Sequence, residues 1–150
     1  MSILKNLIPI FTTIIAVMLI NLPTLNNSFY LDFAIPLIYF WIIVNPNSFW
    51  FVYLFLLGLL SDTLSNVTLG IHSLSYLMIW VLVIYFYYQR VMDTLLGINI
   101  VSFIVITISY FIYGLFAYLN NTLQLYDLLF GALIIFVISM LLNMLLVLKK

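Results

Sequence analysis

The stretch Leu54-Phe-Leu-Leu-Gly-Leu-Leu60 decides between the two kinds of structure that can cross a lipid bilayer. Because hydrocarbon offers no hydrogen-bond partners, a spanning segment must satisfy its backbone either within an α-helix or within a closed β-barrel. Barrel strands alternate polar and apolar residues along the chain. This run does not alternate, and it therefore predicts an α-helix.

The composition of the whole chain agrees with a membrane environment. Of its 150 residues, 67% are hydrophobic and 5% are charged, whereas a soluble domain has about 45–50% apolar and about 25% charged residues. The length corresponds to one domain. We therefore predict an all-α integral membrane protein in which residues 1–150 form a single transmembrane helical domain.

Five short polar breaks divide the apolar sequence into six predicted helices. Their approximate ranges are 7–22, 29–44, 49–64, 69–88, 95–118 and 128–148. A helix needs about 20 residues to cross the hydrocarbon core, so the last three are long enough and the first three are short. The first run is interpreted as a retained helix, because no small-x-small cleavage site follows it.

The charged residues predict how these helices are oriented. With six crossings, all four basic residues lie on the side of the two termini: Lys5, Arg90, Lys149 and Lys150. The positive-inside rule makes that side cytoplasmic. Asp32, Asp62 and Asp127 fall on the opposite side, and Asp93 is expected to form a weak exposed pair with Arg90.

Several functional classes have little support in the residue inventory. The chain has no cysteine, no glutamate and one histidine, which leaves too few ligands for a typical metal site. No nucleophile stands beside a base, and no glycine-rich phosphate loop is present. We therefore expect no cofactor, no metal and no enzymatic activity, and the zero net charge gives no reason to expect nucleic acid as a partner.

Small and polar residues form a stripe on each of the last two predicted helices. The first stripe contains Asn99, Ser102, Ser109 and Tyr113, and the second contains Gly131, Ser139 and Asn143. Such residues mark faces that pack against protein in a membrane. The two stripes either pack against each other or receive the helix of a partner.

The densest group of polar and special-backbone residues lies around the break between the third and fourth helices. Gly58-Leu-Leu-Ser-Asp62 ends one helix, and Gly70-Ile-His-Ser-Leu-Ser-Tyr76 opens the next. An ionisable residue within a membrane segment is a functional-site hypothesis, and His72 is the natural partner of Asp62. Alternatively, Asp62 only caps the fourth helix through its exposed amides. Gly58 is expected to allow a close helix approach, and Gly70 to adopt an unusual backbone angle.

These residues, together with Pro46, resemble the rod shape-determining protein MreD family of bacteria. The resemblance implies a non-catalytic scaffold subunit of the cell-wall elongation complex in the bacterial cytoplasmic (inner) membrane. It also implies as partners an MreC-like single-span protein, a RodA-like glycosyltransferase with its class B penicillin-binding protein, and indirectly the MreB filament. On this chain, Gly58, Asp62, Gly70 and His72 would fix the outer hairpin, with the stripes on helices five and six as further candidates for contact with MreC.

A G-x-x-x-D helix end followed by L-G is also similar to the substrate-binding membrane subunits of energy-coupling-factor vitamin transporters. That resemblance implies a related fold and, as the alternative function, a small-molecule importer. The chain departs from this pattern because it lacks glutamate and has short outer loops. A scaffold predicts a well-filled interior, whereas an importer predicts an outward-facing cavity.

Overall fold

The structure, a computed structural model, describes residues 2–20, 31–47, 49–65, 68–119 and 125–148. Within these residues the protein is entirely helical, as the sequence predicts. It contains six α-helices: α1 (Ser2–Ile20), α2 (Ala34–Val44), α3 (Phe49–Leu64), α4 (Ile71–Tyr88), α5 (Leu95–Leu119) and α6 (Leu125–Leu148). A single 3₁₀ turn, Val91–Asp93, lies between α4 and α5.

Three of these helices are long and apolar enough to cross a membrane. They contain the spans Ile71–Tyr88, Leu95–Phe116 and Leu129–Leu146. The apolar parts of the others are shorter, namely Leu7–Leu19, Ala34–Val44 and Phe49–Leu64. The predicted difference between a short first half and a long second half is therefore confirmed.

The main difference from the predicted boundaries is at the start of α2. The sequence predicts a helix over 29–44, but α2 begins at Ala34 and contains 11 residues. The Asp32 side chain accepts a hydrogen bond from the Ala34 amide, with an N···O distance of 2.9 Å. Aspartate at such a position satisfies a free amide of the first turn, and helices begin after it. Residues 29 and 30, like the predicted end of the first helix at 21–22, lie outside the described residues.

The short helix α2 lies in the middle of the bundle. It packs against α1, α4, α5 and α6, and more than half of its residues are buried, including Ile38, Tyr39 and Ile42. The Tyr39 hydroxyl donates to the Ile98 carbonyl oxygen of α5 at 2.6 Å. Because neighbouring helices cover it, α2 does not need the length of a lipid-facing span.

The outward surfaces of the helices are strongly apolar. Large side chains project from them, such as Phe111 at 68% exposure, Leu133 at 62% and Leu141 at 60%. A soluble protein seldom exposes contiguous apolar surface on this scale. The exposed faces therefore agree with contact with lipid.

The connection between α4 and α5 is a tight turn. Arg90 adopts a positive φ of 56°, and the Thr94 hydroxyl caps α5 by accepting from the Gly97 amide at 3.0 Å. A Cβ at Gly97 would lie 1.8 Å from the Val91 carbonyl oxygen, so this turn requires glycine. The expected pair between Arg90 and Asp93 is absent: the described residues contain one ion pair, which involves neither of them. The 3₁₀ turn leaves both side chains exposed instead.

Candidate functional site

Asp62 and His72 form a buried pair where α3 and α4 meet. The carboxylate oxygen Oδ1 of Asp62 lies 2.7 Å from His72 Nδ1, and the two side chains are 0% and 1% exposed. The same oxygen accepts from the His72 backbone amide at 2.9 Å, and Oδ2 accepts from the Gly70 amide at 2.6 Å. Asp62 therefore caps α4 from the end of α3 and also binds the imidazole, as the sequence predicts.

The two glycines of this hairpin have the roles expected of them. Gly70 precedes α4 with a φ of +105°, a conformation that residues with a side chain resist. Gly58 lies against the backbone of Ser73, and a Cβ at Gly58 would come within 2.3 Å of the Ser73 Cα. Glycine is therefore the residue that lets α3 and α4 approach this closely.

Asp32, which is predicted to lie on the same side of the membrane as Asp62, belongs to the same region. It is 1% exposed, and its Oδ2 lies 2.9 Å from the hydroxyl of Tyr76 on α4. Its backbone amide donates to the Tyr110 hydroxyl of α5 at 3.4 Å. One signal in the sequence could have indicated its role. Asp32 stands two residues before Ala34, and aspartate is common just before the first turn of a helix.

Together these residues form what we call the buried polar cluster: Asp32, Ser61, Asp62, His72 and Tyr76. All five are at most 1% exposed. The His72 ring contacts the rings of Tyr76 and Tyr113, with centroid distances of 5.9 and 5.2 Å. The cluster thus connects the start of α2 with α3, α4 and α5.

The Asp62–His72 pair has the arrangement of the carboxylate and imidazole in a hydrolase triad. Neither side chain of the pair is accessible from the protein surface in this conformation. Among the described residues, no three histidine, cysteine or acidic side chains converge as a metal site would require. In this conformation the pair holds the start of α4 in place.

The two polar stripes lie inside the chain, where α5 packs against α6. Ser102, Ser109 and Ser139 are buried, and each hydroxyl donates to a carbonyl of its own helix at 2.8 Å. Gly131 is also buried. Asn143 Nδ2 joins the helices by donating to Asn99 Oδ1 at 2.9 Å. The stripes therefore contact each other at Asn99, Ser102 and Asn143, whereas Tyr113 of the first stripe contacts His72 of α4.

A cavity of about 620 Å³, open to the outer surface of the bundle, lies between α5 and α6. Its walls are apolar and include Phe103, Phe111, Leu133 and Phe136. Tyr110 is the wall residue that also contacts Asp32. This cavity is therefore next to the buried polar cluster, but none of the five cluster residues lines it.

No protein-family model matches the chain, and neither a curated protein nor a solved structure matches it. We therefore infer function from the residues and geometry described above and from the motif between Pro46 and Tyr76.

Gly58→Ala tests the close approach of α3 and α4. The added methyl group would meet backbone atoms of Ser73, so we expect the variant to lose about 1–3 kcal/mol of stability or more through overpacking. Thermal unfolding in mild detergent measures the change. Leu56→Ala, on the exposed face of the same helix, is the control and should have the smaller effect. Equal effects of the two substitutions would contradict the close-approach role.

Asp62→Ala tests the buried pair and cap. It removes the acceptor of three donors: the Gly70 amide, the His72 amide and the His72 ring nitrogen Nδ1. We expect the free energy of unfolding to fall by about 3–5 kcal/mol, as for other broken buried pairs. Asp62→Asn retains an acceptor oxygen and should unfold at a temperature between those of the alanine variant and the unmodified protein. The exposed Asp93→Asn is the control, with an unchanged melting temperature. An alanine variant as stable as this control would contradict the role.

Proposed function

We propose that this protein is a non-catalytic scaffold subunit of the bacterial cell-wall elongation complex, of the MreD type. In this role it binds an MreC-like single-span protein and, with it, a RodA-like glycosyltransferase and its class B penicillin-binding protein. It thereby helps regulate peptidoglycan synthesis and cell shape. The MreB filament is an indirect partner.

One observation supports this proposal: the residues of the motif contact one another inside the protein. Gly58, Asp62, Gly70 and His72, which carry the resemblance to MreD, converge on one contact between α3 and α4. Both carboxylate oxygens of Asp62 accept hydrogen bonds from α4 and the residue before it. A hairpin braced in this way suits a protein that presents a fixed surface to other proteins, because Asp62, Gly70 and His72 bind one another within the chain.

We further propose a multi-pass arrangement in the inner membrane, with six spans and both termini in the cytoplasm. Its support is the distribution of the basic residues in the sequence, together with the positive-inside rule. The hairpin between α3 and α4 then faces the periplasm, and the turn at Arg90 faces the cytoplasm. The short apolar parts of α1 and α3 would cross where the bilayer is locally thin.

Cysteine labelling tests this topology, and the chain has no native cysteine to interfere. We expect Thr68→Cys to react with a membrane-impermeant maleimide added to intact spheroplasts. Asn47→Cys and Gln89→Cys should react only after the membrane is opened, because they lie on the other side. All three positions are exposed in the structure. Labelling of Thr68→Cys and Gln89→Cys from the same side would contradict the proposal.

Co-purification tests the partners. The protein is crosslinked in its native membrane, purified in mild detergent, and its associated proteins are identified by mass spectrometry. We expect MreC-like and RodA-like proteins, and the same recovery with Asp93→Asn. Asp62→Asn should also keep the partners if Asp62 only caps α4, and loss of assembly by a folded Asp62→Asn variant would contradict pure capping. Absence of both partners from the unmodified protein would contradict the scaffold function.

The cavity between α5 and α6 favours a second candidate, the substrate-binding membrane subunit of a small-molecule importer. Its volume of about 620 Å³ lies within the range of small-molecule sites, about 300–1,000 Å³. Its apolar walls, however, offer few of the polar groups that would orient a vitamin. The same purification distinguishes the two functions, because an importer subunit would recover ATPase subunits or a bound vitamin.

A further inference from the structure

The buried polar cluster contains one more acidic group than it can neutralise. His72, the one basic side chain of the cluster, is paired with the Asp62 carboxylate at 2.7 Å. Asp32 is equally buried and forms no ion pair of its own within the described residues, where His72 acts on it only through space. Arg90, the nearest basic residue in the sequence after Tyr76, lies beyond the end of α4 at Tyr88, which is about 18 Å from Tyr76 at 1.5 Å per residue. A carboxylate buried without such a partner is costly, and it commonly takes up a proton instead.

The contact between Asp32 and Tyr76 fits a protonated carboxyl group. Their oxygens are 2.9 Å apart, a distance at which the tyrosine hydroxyl can donate to a carboxylate or a protonated carboxyl group can donate to the tyrosine. If Tyr76 donates to an ionised Asp32, the hydrogen of Tyr76 is used there. If Asp32 is the donor, the hydrogen of Tyr76 is released for another acceptor.

Ser61 supplies that acceptor. Its hydroxyl is completely buried and has no hydrogen-bond partner. It lies beside the hydroxyl of Tyr76, with which it interacts from α3 without a hydrogen bond of good geometry. A buried hydroxyl without a partner costs free energy, so a hydrogen bond from Tyr76 would remove this penalty. The unpartnered Ser61 thus points independently to the second of the two arrangements.

We propose that Asp32 is a buried proton-binding site, in which its protonated carboxyl donates to Tyr76 and the Tyr76 hydroxyl donates to Ser61. The Asp32 carboxylate binds one proton, and the O–H bond of its carboxyl group is the only covalent bond that forms. The ionisable groups around this chain of hydroxyls are His72 and Tyr76 from α4, Asp62 from α3 and Tyr110 from α5. Loss of the proton would place a charge between α2 and α4 and weaken their contact. The site belongs to this chain itself and does not depend on the partner that the protein binds.

Infrared spectroscopy of the purified protein tests the proposal directly. The chain has only four acidic side chains, all aspartate, so the C=O stretching band of a protonated carboxylic acid is simple to assign. At neutral pH we expect this band in the unmodified protein and in Asp93→Asn, and its loss in Asp32→Asn. Absence of the band from the unmodified protein, or its loss in Asp62→Asn alone, would overturn the proposal.

Two further variants keep the test decisive if Asp32→Asn does not fold. Tyr76→Phe removes the acceptor of the Asp32 proton, and Ser61→Ala removes the acceptor of the Tyr76 hydrogen. We expect both to retain the acid band but to shift its frequency, with the larger shift in Tyr76→Phe. A band that is unchanged in both variants would show that the hydroxyl chain does not exist.

The pH dependence of unfolding provides an independent measurement. A folded state that binds one proton more than the unfolded state loses stability as the pH rises, by up to about tenfold in the unfolding equilibrium constant per pH unit. We therefore expect the unfolding equilibrium constant of the unmodified protein to rise with pH more steeply than that of Asp32→Asn, by up to about tenfold per pH unit. The asparagine side chain is neutral at every pH and so contributes no such dependence. Parallel profiles of the two proteins would contradict the proposal.

Discussion

The hydrogen bonds from the start of α4 to the Asp62 carboxylate hold the arrangement of the helices together. Three donors from Gly70 and His72 converge on this one side chain of α3. A buried helix start must satisfy its free amides, and the surrounding lipid offers no hydrogen-bond partner for them. Asp62 meets that requirement, and in doing so it fixes the depth at which α3 ends relative to the first turn of α4.

The other polar groups of the interior follow from the same constraint. Once Gly58 has brought α3 against Ser73, the side chains of Ser61, His72 and Tyr76 lie within the bundle and need partners there. Asp32 reaches Tyr76 from the start of α2, and its amide reaches Tyr110 of α5. The polar cluster therefore joins four of the six described helices at one end, while apolar side chains fill most of the remaining core.

The exterior obeys the opposite requirement, because lipid accepts apolar surface without cost. The long helices α5 and α6 expose large aliphatic and aromatic residues along their outer faces. Their serines turn inward and donate to carbonyls of their own helices, so the polar stripes contribute to packing and leave the surface apolar. A surface of this kind suits contact with lipid and with other membrane helices, as the proposed scaffold function requires.

The helical class, the positions of α3 to α6 and the Asp62–His72 pair could be predicted from the sequence. They depend on local signals: uninterrupted apolar runs, polar breaks, and glycines beside an ionisable pair that is close along the chain. The burial of Asp32 could not be predicted, because its partners Tyr76 and Tyr110 lie 44 and 78 residues away. The same limit applies to the stripes, since residue spacing shows which face of a helix is polar but not what covers it. Composition and periodicity by themselves determined a helical membrane protein; only the tertiary structure decided that α2 is the covered central helix and that Asp32 lies inside, because both follow from contacts between distant segments.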